Sequence, residues 1–227
     1  MYKRAHVYFS LALLLAIIGF FPSYFSRLGQ TDAIKHFHGI AALTWMILLV
    51  TQAWLMRQGN RRLHRALGRT SLVIAPLFVA SGLLVVHSML TGGNPFQRAF
   101  GPQLAWLDLI TVFYFAFVVG QAIKHRRNVQ LHARYMASTA VLVLPPAVAR
   151  IMGMGIPGIH SFEAAVHAAY FFSELVVLLL LMDDWRMGRV RLPYPLLMLV
   201  LVIEQLGFVW IAQFQPWLDL CRWISSV

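Results

Sequence analysis

One cysteine, Cys221, is all the thiol this chain has. That excludes an intramolecular disulfide, a thiolate-only metal cage and an iron–sulfur cluster held by this chain alone. Charge is scarce as well. Only 12% of the 227 residues are charged, about half of what a soluble domain carries. Eight acids face nineteen Lys and Arg, for a net charge of +11. In a soluble protein such an excess would point to nucleic acid. In a chain that is 59% hydrophobic, nucleic acid drops out as a partner and the positives read as topology signals in membrane loops. The chain has no GxxxxGK[ST] loop for nucleotide phosphates and no Ser nucleophile elbow. Residues 195–214 hold no lysine, so the last apolar segment offers no retinal Schiff base. No internal repeat is visible, so an inverted-repeat transporter lacks its usual support.

What the chain does have is long apolar runs, and residues 36 to 69 show their pattern best. His36 and His38 open the stretch, Phe37 to Met56 carries no charge, and a basic loop with Arg57, Arg61, Arg62, Arg65 and Arg69 closes it around His64. About twenty residues at about 1.5 Å each match a hydrocarbon core of about 30 Å. Seven such segments can be drawn: 7–25, 37–56, 71–90, 103–123, 135–154, 162–182 and 195–214. The first follows Lys3 and Arg4 and is too long and aromatic for a signal peptide, so it reads as a retained helix. Backbone crossing lipid must satisfy its own hydrogen bonds, so the expectation is all-α: one bundle of seven transmembrane helices in a single domain.

Lys and Arg orient that bundle. With the N-terminus inside, fourteen fall at the inner face, in 3–4, 57–69, 124–134 and 186–191. Five remain outside: Arg27, Lys35, Arg98, Arg150 and Arg222. Alternate loops agree, which places the C-terminus outside and suits a bacterial inner membrane. His6, His64, His125 and His132 then lie at the inner face; His36, His38, His87, His160 and His167 lie at or near the outer one.

Several polar groups then need partners. Glu163, His167, Tyr170 and Glu174 share one stripe of the sixth span. Glu174 and Glu204 fall near mid-membrane, where an ionisable group faces the bundle interior. Arg150 is a candidate countercharge for an outer carboxylate. At the outer face His36, His38, His87 and His167 are candidate ligands for Cu, Zn or haem iron. His36 and His38 lie about 200° apart on a helix, so only one can point inward unless the helix starts between them. At the inner face LHRALGR (63–69) and LHARYM (131–136) look alike. His64 and His132 can ligate one haem b, with Arg65 and Arg134 on its propionates; equally, both motifs can be entry turns whose arginines bind lipid headgroups. Pro145-Pro146 removes backbone donors in mid-span, giving either a kink or a cavity lined by freed carbonyls.

A set of these features resembles a family of bacterial polytopic membrane proteins catalogued as a domain of unknown function. The features are a histidine opening an apolar helix that ends in Gln52, then LHRALGR, Ser81-Gly82, HARYM (132–136) and the distal Arg150. The resemblance covers roughly residues 36 to 151, and Tyr135 departs from the tryptophan usual there. It implies a polytopic fold and no particular activity. Histidines at both faces also give a distant likeness to b-type di-haem transmembrane cytochromes. Two functions stay open. One is a membrane redox protein binding haem b or a metal through histidines at the bundle ends. The other is a carrier of protons or small solutes, or an accessory subunit packing on a membrane partner or a second copy, built around Glu174, Glu204 and Arg150 and needing no cofactor.

Overall fold

The protein is described by a computed structural model over residues 4–154 and 156–226. Lys3, counted above among the inner charges, lies outside the described residues. Those residues form helices and turns and no strand. Ten α-helices follow in order: α1 Ala5–Phe20, α2 Ala33–Arg57, α3 Arg61–Gly68, α4 Ser71–Thr91, α5 Pro95–Lys124, α6 Val129–Val141, α7 Leu144–Met152, α8 Phe162–Arg186, α9 Pro193–Trp210 and α10 Gln215–Ser226. Six helical segments among them are long and apolar enough to cross a membrane, with α6 and α7 counted as one. This is the architecture of a multi-pass membrane protein.

Side chains at the loop ends set the boundaries. Asp32, Asn60, Asn94, Asn128 and Ser161 each accept from a backbone N–H in the first turn of the helix that follows. Each satisfies a donor that has no partner within its helix. The first apolar run behaves differently from the expected span 7–25. Helix α1 stops at Phe20 after sixteen residues, about 24 Å at the usual rise. Pro22 lacks the N–H to continue it. The chain goes on as turns and a 3-10 segment, Phe25–Gln30.

The fifth run is broken, as its prolines suggest. Pro145 and Pro146 occupy the first turn of α7, the one place in a helix where their missing N–H groups cost little. Around the molecule α1, α2, α4, α5, α9, α8 and α7 pack in a ring, each against the next. Helix α6 leaves that ring to pack on α5 and α9. It buries Arg134, Tyr135, Ser138, Thr139, Ala140 and Val141. The core around it holds Trp45, Phe115, Tyr170, Tyr194, Leu197 and Leu201. On α8 the outward face is Phe171, Leu175, Leu178 and Leu179, all exposed, as a lipid-facing side must be.

Candidate functional site

Three polar groups of side chains sit in this frame: one at the α3 end of the bundle, expected to be the inner end, one in the middle, and one at the opposite end, expected to be the outer end. The inner group comes from α3 and the first turn of α6. The rings of His64 and His132 meet with centroids 6.4 Å apart and planes at 82°. The two Leu-His segments, far apart in sequence, are therefore neighbours in space. His132 Nδ1 lies 2.9 Å from the Ala122 carbonyl, so it carries the proton there and leaves Nε2 as an acceptor. His64 Nδ1 lies 3.4 Å from the Gln52 carbonyl. The Gln52 amide fits best with its oxygen accepting from Gly68 N–H at 2.9 Å and its NH2 toward His64. Gln52 thus decides which His64 nitrogen bears the proton. Burial holds the His64 imidazole below its ordinary 6.5; the Gln52 carbonyl partly offsets this, and the nearby His132 adds to it.

Arg65 is exposed and donates from Nε to the Arg61 carbonyl at 3.3 Å. Arg134 is fully buried, and so is the Asp184 carboxylate it pairs with. Arg134 Nε lies 3.0 and 2.8 Å from the two Asp184 oxygens, and Nη2 also donates to that carboxylate. Nη1 donates to Gln130, at 2.9 Å to its carbonyl and 2.7 Å to its side-chain oxygen. Sequence reasoning overlooked Asp184. A signal was present: of eight acids, only Asp183 and Asp184 fall at the inner end.

The middle group joins α5, α8 and α9. Glu204 is fully buried. Thr111 Oγ donates to one of its oxygens at 2.8 Å and the Tyr170 hydroxyl to the other at 3.2 Å. Glu174 stands one turn along α8 from Tyr170, and its Oε1 is buried with no hydrogen-bond partner among the described residues. Asp108, one turn from Thr111 on α5, is within electrostatic reach of Glu204 and Arg150. The Tyr114 hydroxyl is buried, interacts with the Ser138 side chain, and lies within electrostatic reach of Glu204 and Tyr135. Tyr135 in turn stacks on His125, centroids 6.0 Å apart. Glu163 stands exposed in the first turn of α8, where the helix dipole favours an acid.

At the outer end the histidines go separate ways. His36 reaches the Tyr24 hydroxyl at 3.2 Å and the Leu28 carbonyl at 3.0 Å. His38 points inward instead, its Nδ1 3.1 Å from Ser81 Oγ. That hydroxyl donates to the Phe78 carbonyl at 2.7 Å, so His38 Nδ1–H is the donor to Ser81. His87 is half-buried on α4, and His167 packs edge-on to Phe208. No three His, Cys, Asp or Glu side chains among the described residues come together as a metal-binding group. Arg150 donates to Ser23 Oγ at 3.3 Å and to the Pro146 carbonyl at 2.7 Å. Its guanidinium also lies over the Phe20 ring at 4.2 Å. It pairs directly with no carboxylate among the described residues; Asp108 and His38 feel its charge from a distance. Cys221 is buried in α10, which pushes its thiol up to about 11 and makes it a packing residue.

No protein-family model, curated protein or solved structure matches this chain.

Proposed function

We propose that this protein is a seven-helix inner-membrane carrier, N-terminus inside and C-terminus outside, that moves protons through its interior. Helix α1 serves as the seventh span, completed by the turns after Phe20. The observation that carries the reading is Glu204, wholly buried in mid-bundle and held by Thr111 and Tyr170. A carboxyl at that depth is costly, and chains of Asp, Glu and His are how membrane proteins relay protons. Supporting groups extend to both ends: His125, Tyr135 and Tyr114 toward the inner face, Asp108 and His38 toward the outer. Proton transfer along this line requires water in the gaps between them. Glu174, with one buried oxygen unpartnered, is a second proton acceptor beside Tyr170. The test is proton flux. Proteoliposomes given a potassium diffusion potential and an internal pH dye should acidify or alkalinise faster than empty vesicles, and Glu204→Gln should remove the excess. Flux equal to that of empty vesicles sinks the proposal.

One observation favours a second reading, a b-type redox protein. The His64 and His132 rings lie with centroids 6.4 Å apart, near enough for the two imidazoles to serve one iron. Two imidazoles alone are too few for a bare Zn or Cu site but suit haem iron, whose other four ligands are its own. His132 already has its Nδ1–H tied to a carbonyl, as a ligating histidine requires; His64 must take the same tautomer against Gln52. When bound, haem would supply one-electron chemistry. An absorption spectrum of the purified protein with metal analysis decides it: a Soret band lost in both His64→Ala and His132→Ala supports haem, and no Soret band removes it.

A further inference from the structure

At the end of the bundle opposite the His64–His132 pair, a cavity of about 410 Å³ opens between the end of α4, the start of α5 and α10. Helix α10 builds its roof. Trp217 is buried, packs edge-on to Trp106 and donates to the Pro102 carbonyl at 3.0 Å, which pins the helix across the bundle end. Trp223 is 64% exposed, in the manner of an aromatic side chain seated among headgroups. The cavity has two kinds of wall. Leu90, Pro102 and Leu218 are apolar, while Arg98 and Arg222 supply two guanidiniums.

The meeting of those arginines is the telling point. This end of the chain has only five cations, and two of them, 124 residues apart in sequence, line one cavity. Lys35 is already paired with Asp32, and Arg150 with Ser23 and Phe20. Arg98 has no acidic partner among the described residues. Arg222 holds Asp219 one turn away, but both are about two-thirds exposed, and such pairs contribute little. The first turn of α5 adds the positive end of its dipole. We infer that this cavity binds the phosphodiester of an anionic phospholipid, its two arginines on the phosphate and its acyl chain along the apolar wall. The volume falls within the usual range for small-molecule sites, about 300–1,000 Å³. Guanidinium pairs recognise phosphate by paired N–H donors, and a choline headgroup would bring a cation up against them.

The full chain in detergent, titrated with phosphatidylglycerol, phosphatidylcholine or inorganic phosphate, gives the test through its unfolding temperature. Phosphatidylglycerol should raise that temperature saturably, and the other two should not. Arg98→Gln and Arg222→Gln should each weaken the half-saturation by about tenfold or more, the worth of one charge-assisted hydrogen bond. Arg27→Gln, at the same end but away from the cavity, should leave it unchanged. A native mass spectrum should show one phosphatidylglycerol retained by the parent chain and lost in the double variant, a readout that does not depend on stability. An undiminished response in the double variant, an equal response to phosphatidylcholine, or the same shift from inorganic phosphate alone would overturn the lipid site.

Discussion

Arg134 shows how a single side chain is committed by its surroundings. With both members of the Arg134–Asp184 pair fully buried, removing one leaves a charge without compensation. Asp184→Ala is expected to cost about 3–5 kcal/mol, read as a fall in unfolding temperature in detergent. Replacing both residues by apolar ones of similar size should cost much less, because no charge is stranded. His64 gives a pH signature. Its imidazole is held below the free value of 6.5, so below that pH the unfolded chain takes up a proton that the folded chain refuses. Stability from this group is therefore fully present above pH 6.5 and lost as pH falls toward the depressed folded value. Unfolding midpoints measured from pH 7.5 to 5 should fall, and His64→Ala should flatten that slope. A slope unchanged in the variant would assign the titration elsewhere.

Among the elements, α1 and the broken α6–α7 pair matter most. Gly19 on α1 lies against the backbone of Ala147 on α7, so an added Cβ would collide with the Ala147 carbonyl. Close backbone approach through small residues is how helices associate in a membrane. Gly19→Val is expected to push α1 off α7 and cost about 1–3 kcal/mol, as overpacking does; Gly29→Val, with nothing near its side-chain position, is the control. If both variants unfold alike, α1 does not depend on that contact. The break itself was readable from Pro145-Pro146, because proline chemistry is local. The inward placement of α6 was not readable. It follows from which neighbours α6 packs against, α5 and α9, and periodicity carries no such information.

For the molecule as a whole, the testable claim is orientation. A periplasmic reporter such as alkaline phosphatase, fused after residue 227, should be active, and a cytoplasmic one fused there should not. The opposite result would mean that α1 does not cross. What the sequence alone determined is the helical membrane class, six of the runs that became long apolar helices, and how far along its run each ionisable residue lies. Those follow from hydrophobicity summed along a run and from backbone hydrogen bonding, both local properties. It also showed that His36 and His38 could not share a target, since helical geometry turns them apart. Only the tertiary structure decided which groups of equal depth meet: His64 with His132, Glu204 with Thr111 and Tyr170, Arg134 with Asp184. Likewise it dispersed His36, His38, His87 and His167. The reason is physical. Depth is set by distance along one helix, whereas contact depends on the order and rotation of several helices, and lipid-facing and buried stripes are equally apolar in this chain.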